Sequence, residues 1–234
     1  MLRNRLIIFA FFILLGFAPF CHAQNIEIVE PEDDLLLEFT QEWGSERSTL
    51  GNLKKKKIGN NDLELRFWAG YGLFGTRGLI LEKEDNIWTA SKANVENCFV
   101  YYPDSLKNTI SKENFFSNIS TTDCNEDQHE FGSVREVDTV LVSPIKIKNT
   151  ELDKLWNSMV KIGLSDLPTH VDRDWIMTDG HTYVVELRKK NLYKASVIEH
   201  LEEPEVKADQ QIKNLAKLVS EKFDFAFLRG PTNN

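Results

Sequence analysis

Between residues 63 and 67 the chain reads Leu-Glu-Leu-Arg-Phe, with apolar side chains at Leu63, Leu65 and Phe67 and charges at Glu64 and Arg66. Successive side chains of a β-strand point to opposite faces, so this period of two sends the apolar set to a core and the charged set to solvent. The stretch therefore predicts a half-buried strand and excludes an amphipathic helix, whose apolar positions recur every three to four residues. Further strands are expected over 79–82, 87–90, 98–102 and 134–142, with Lys83-Glu84-Asp85-Asn86 as a turn. Asp179-Gly180, between 175–178 and 181–185, signals a hairpin because both residues tolerate the positive φ of a tight turn. A second hairpin is expected to turn near Arg188 to Asn191 and to return along Leu192 to Ile198. An antiparallel meander accounts for this series.

Three helices interrupt it. Pro31-Glu32-Asp33-Asp34 is expected to open one over 32–43, with Leu35, Leu36, Phe39 and Trp43 on its apolar face and Gly44 as its stop. Thr150-Glu151-Leu152-Asp153 resembles a capping box, and Leu152, Leu155, Trp156 and Met159 then share a face up to Gly163. Pro204 is expected to start the last helix, striped by Ile212, Leu215, Leu218, Val219 and Phe223. The expected fold class is α+β: a twisted antiparallel sheet with about three helices packed on one face.

Residues 1–23 read as an export signal: Arg3 and Arg5 precede an apolar run from Leu6 to Phe20, and Cys21-His22-Ala23 offers a cleavage junction. Residues 24–234 are then expected to form a single domain, periplasmic or secreted, with no membrane span left after cleavage. Losing two arginines would take the formal charge from −8 to −10. A surface so acidic repels phosphates, so nucleic acid and anionic lipid are not expected partners. The one basic run, Lys54-Lys55-Lys56-Lys57, reads as a solvated loop. Cys98 and Cys124 remain after cleavage and are expected to form a disulfide in an oxidising compartment, two free thiols being the alternative.

Gly70, Gly72 and Gly75 have the spacing GxGxxG. A dinucleotide site needs a helix after the glycines, to present amide donors to pyrophosphate, whereas Leu79-Ile80-Leu81 is strand-like. A kinase glycine loop is excluded because no HRD or DFG follows. The motif reads as a glycine-rich turn between strands. Taken together, "LELRFWAGYGLFGTRGLILEKEDNIW" and "DGHTYVVELRKKNLYKASVIEH" resemble a group of exported, uncharacterised bacterial proteins. In that group a helix, a strand-glycine-strand meander, a DGxxYxxE hairpin and a C-terminal helix follow in this order. The resemblance implies export and one domain; it implies no particular activity.

Two function classes follow. The favoured one is a non-enzymatic domain that binds a protein or small ligand in the envelope or outside the cell. Its expected surface is an exposed patch of Trp68, Tyr71, Phe74 and Trp88 on the uncovered part of the sheet. The alternative is a metal-assisted hydrolase. His170, Asp172 and Asp174 would share a face if extended, His181 lies nearby, and imidazole with carboxylates suits a divalent metal that activates water. No other cofactor is expected. Tyr183 and Glu186, three residues apart in a strand, should lie on opposite faces and so do not form an acid/base pair. No GxSxG elbow marks a nucleophile.

Overall fold

The Leu-Glu-Leu-Arg-Phe stretch lies in β2 (Leu63–Gly70), the middle strand of a seven-stranded sheet. The computed structural model describes residues 26–70, 76–102, 133–171, 181–200 and 206–223. The other strands are β1 (Glu27–Val29), β3 (Arg77–Glu84), β4 (Ile87–Tyr102), β5 (Ser133–Pro144), β6 (His181–Lys189) and β7 (Leu192–His200). Their order is β1-β7-β6-β2-β3-β4-β5, all neighbours antiparallel except β1 and β7. Among the described residues three α-helices, α1 (Leu35–Glu46), α2 (Asn149–Ile162) and α3 (Lys207–Phe223), join the sheet in an α+β fold. Among the described residues no helix is long and apolar enough to cross a membrane.

The turns follow their residues. Asp85 and Asn86 both take positive φ (49° and 66°) between β3 and β4, as a two-residue hairpin requires. β6 and β7 form the expected second hairpin, whereas Asp179-Gly180 lies outside the described residues. The element after the glycine motif is β3, antiparallel to β2. That placement lacks the helix a dinucleotide site needs.

Alternation along the central strands divides the molecule into two cores. Leu63, Leu65 and Phe67 face Tyr183, Val185 and Leu187 of β6, and this face is covered by α2 and α3 through Leu155, Met159, Ile212 and Val219. Trp68, Ile80, Val184 and Val197 point the other way, where Leu37 of α1 and Leu53 cover them. The three helices are thus not on one face: α1 takes the opposite side. A middle strand buried on both faces also overturns the half-buried expectation, since Glu64 and Arg66 are each only 1% exposed.

Helix α1 differs from its expected form for a related reason. Asp34 caps it by accepting from Leu36 N (2.9 Å) and Leu37 N (3.1 Å), and it runs through Gly44 to Glu46. A Cβ on Gly44 would stand 2.5 Å from Arg66 Nη1. The glycine therefore permits close approach to the sheet instead of ending the helix. Leu37, Thr40 and Gly44 form the buried face, and the expected apolar pair Leu35 and Phe39 faces water.

Helix α2 likewise starts without the Thr150 cap. Lys148 holds the N-cap position with no side-chain bond. Asn149 and Asp153 are occupied by Trp88, whose backbone N and Nε1 donate to them at 2.6 Å each. Its C-terminus is as expected, with Gly163 left-handed at φ 106°.

Gly78 on β3 lies under the fully buried Trp68 ring, and a Cβ there would stand 2.6 Å from ring atom Cε3. A ring packed on all sides cannot yield to that atom. Gly78→Ala is expected to destabilise the fold by about 1–3 kcal/mol, read as a lower urea midpoint with an unchanged slope.

Candidate functional site

The sequence contains Glu-Leu-Arg twice, at 64–66 and 186–188. β2 and β6 are antiparallel, and their register sets Glu64 opposite Arg188 and Arg66 opposite Glu186. The two tripeptides therefore pair reciprocally, and all four charged side chains lie on the α1 side of the sheet at 1–2% exposure. A charge this deep must be paired or hydrogen-bonded.

Each is. Arg66 donates from Nε to Glu64 Oε1 (2.7 Å) and from its two terminal nitrogens to the carbonyls of Gly51 (2.8 Å) and Leu50 (3.1 Å). The second Glu64 oxygen accepts from Lys56, which also reaches Glu82 on β3. Lys56 is thus an inserted partner, not part of a purely solvated loop. Arg188 donates to the backbone carbonyls of Lys56 (3.2 Å), Lys190 (2.5 Å) and Leu192 (3.1 Å), tying the β6–β7 turn to residue 56. Tyr193 on β7 donates to Glu186 Oε1 (2.9 Å), and Gln41 of α1 donates to Tyr193 Oη (3.0 Å). Glu186 Oε2 and Trp68 Nε1 are directed into the same interior without completing a regular hydrogen bond.

The two acids titrate in opposite directions. Burial would raise Glu64, but Arg66 and Lys56 outweigh it and hold that carboxyl below the usual carboxylate range. Burial dominates at Glu186 and pushes it up. Arg66 and the Tyr193 hydroxyl offset only part of the rise, to which Glu64 adds. Burial works against the charge of Lys56, yet its hydrogen bonds to Glu64 and Glu82 carry it above the ordinary lysine value. Burial also raises Tyr193, with the charge of Glu186 adding to the effect. Perturbed groups of this kind mark reactive sites when a substrate can reach them. Here α1 and residues 50–56 cover the buried members, Lys56 reaches the surface, and their donors are spent on the protein itself, so the cluster acts as a register lock between β2, β6, β7, α1 and residues 50–56.

Trp68 and Trp88 are buried, in different cores on opposite faces of the sheet. They do not form an exposed patch, because Trp68 packs under α1 and Trp88 packs against Trp156 of α2. Tyr71 and Phe74 lie outside the described residues. His170 is exposed, His181 opens β6, and Asp172 and Asp174 lie outside the described residues. Among the described residues no three His, Cys, Asp or Glu side chains gather as metal ligands. Tyr183 and Glu186 are on opposite faces as expected, with the Tyr183 ring 5.8 Å from that of Phe67. Cys98 sits on β4 opposite Val137, and Cys124 lies outside the described residues.

One surface was not expected. Leu35 is 66% and Phe39 50% exposed, one turn apart on α1 and roughly opposite Leu37, whose side chain faces the sheet. Ile28, half-exposed on the edge strand β1, shares the α1 side of the sheet through its register with Tyr193. Glu30 ties the two elements by accepting from Gln41 (3.4 Å) and from Lys54. The apolar run Leu35-Leu36-Leu37 was the available signal, but its phase on the helix could not be read without the Gly44 contact.

Comparison with protein-family models and with curated proteins yields no match.

Proposed function

We propose that the chain is an exported, non-enzymatic binding domain whose contact surface is the outer face of α1. The observation that carries this reading is the exposure of Leu35 and Phe39 together, two large apolar side chains on a helix whose opposite face already fills the core. A contiguous exposed apolar patch marks an interaction surface. The most perturbed polar cluster, by contrast, has a sufficient structural role. The charged start and apolar run of residues 3–20 support export, and an oxidising compartment would suit a Cys98–Cys124 bridge. The reading invokes no cofactor.

Leu35→Ser with Phe39→Ser tests it. Both positions are surface sites, so each change is expected to alter stability by no more than about 0.5 kcal/mol. Crosslinked capture from the envelope and culture fluid of the native host should then lose the species that the unaltered chain retains. Identical capture by the folded double variant would refute the proposal.

A further inference from the structure

We infer that the outer face of α1 receives a protein segment that is both apolar and basic, an inference that rests on the binding-domain reading above. Helix α1 carries Glu38, Glu42 and Glu46 and no lysine or arginine. Glu38 follows Leu35 by three residues and Glu42 follows Phe39 by three, so the acids border the apolar pair on the same outer face. Exposed Glu32 and Asp33 extend the acidic border before the helix begins.

Helix stability does not explain all of these acids. The partial positive charge of a helix N-terminus favours acids in the first turn, which accounts for Glu38. The C-terminal turn favours cations, yet it holds no basic residue and ends in Glu46. Glu42 pairs with Arg47 just beyond the helix at 2.7 Å, whereas Glu32, Asp33, Glu38 and Glu46 form no ion pair among the described residues. Glu46, unpaired among the described residues at the wrong end of the helix, and Glu38, likewise unpaired beside two exposed apolar side chains, complement a partner that brings lysine or arginine around an apolar centre.

The same charges select against other occupants. A second copy would set Glu38, Glu42 and Glu46 against their equivalents, and like charges brought together are unfavourable. An anionic bilayer meets the same repulsion. A helical or extended segment with apolar anchors and flanking cations meets neither.

Three synthetic amphipathic peptides sharing one leucine face, with Lys, Ser or Glu on the other, would be titrated into the full chain by fluorescence anisotropy. The Lys peptide is expected to bind about tenfold or more tightly than the Glu peptide, with the Ser peptide between them. Its affinity should fall as salt rises from about 0.05 M to about 0.3 M. Phe39→Ser should abolish binding, and Glu42→Lys with Glu46→Lys should shift the preference toward the Glu peptide. Equal binding of all three peptides, lost with Phe39→Ser, would overturn the basic partner and leave the α1 surface standing. Lys-peptide binding that survives Phe39→Ser would also overturn it, as attraction to the acidic protein at large. Failure of every peptide to bind, together with capture unchanged in the double serine variant, would remove both this inference and the binding-domain reading.

Discussion

Arg66→Met should lower the stability of the domain by about 3–5 kcal/mol, because removing one partner of a buried ion pair leaves the other charge uncompensated. Glu64 would keep only Lys56, Glu186 would lose the cation opposite it, and the carbonyls of Leu50 and Gly51 would lose their donors. At roughly 2–4 °C per kcal/mol for a domain of this size, the melting temperature should fall by about 6–20 °C. Urea denaturation of the variant gives the midpoint directly. Replacing Glu64, Arg66 and Glu186 together by leucine or methionine should recover much of the loss, since a packed apolar set of similar volume carries no desolvation cost. A loss below about 1 kcal/mol in Arg66→Met would show that the network is dispensable.

Glu186→Gln should make the domain more stable at neutral and alkaline pH and leave it nearly unchanged near the ordinary carboxylate value of 4.5. The folded state raises this carboxyl above its unfolded value and so binds a proton that the unfolded chain has released. Its contribution is fully present below the unfolded value and is lost as pH rises through the folded one. The groups facing it are Arg66 and Trp68 of β2, Glu64 beyond Arg66, and Tyr193 of β7 backed by Gln41 of α1. Glutamine keeps the acceptor for the Tyr193 hydroxyl and has no charge to desolvate, so the variant escapes a cost that can reach several kcal/mol for a buried carboxylate. Glu64→Gln should behave oppositely: its lowered carboxyl stabilises the fold above 4.5, and that contribution is lost as pH falls. Urea midpoints of the three proteins between about pH 4 and pH 9 would show the two gaps, one opening upward and the other closing downward. A constant gap between the parent chain and Glu186→Gln would mean that Glu186 is equally ionised in both states.

These predictions concern residues that the sequence made visible but misassigned. Alternation at 63–67 located β2 correctly and the strands at 79–82 and 134–142 fall in β3 and β5, whereas the two strands expected at 87–90 and 98–102 are one, β4. What alternation cannot report is how many layers cover a strand. A charged residue on the second face reads as solvent-facing whether water or a helix lies above it. The repeated Glu-Leu-Arg held part of the missing information, because two copies placed antiparallel set acid opposite base in register, as β2 and β6 do, while the partners that satisfy them, Lys56, Tyr193 and the carbonyls of residues 50, 51 and 56, lie elsewhere in the chain. The phase of α1 was hidden for the same kind of reason. Leu35, Leu36 and Leu37 are consecutive, so any of them could face inward, and the choice is made by Gly44 against Arg66. The aromatic patch failed because Trp68 points to the side covered by α1 and Trp88 to the side covered by α2, where its ring meets Trp156. Strand β1 gave no signal at three residues.

That short strand has a consequence for how the chain reaches its final form. β1 is parallel to β7, and β2 pairs on one side with β6, so the earliest strands depend on the last ones for their partners. Pairings so distant in sequence must bear the entropy of closing a long loop before any contact rewards it, which slows folding. Synthesis proceeds from the N-terminus, so the middle of the sheet stays open on one side until residues 181–200 arrive, and the buried charges have no complete set of partners before then. A chain threaded through a pore from the same end could pair β2 to β5 on the way, but would enclose its buried charges only once the final hairpin was delivered.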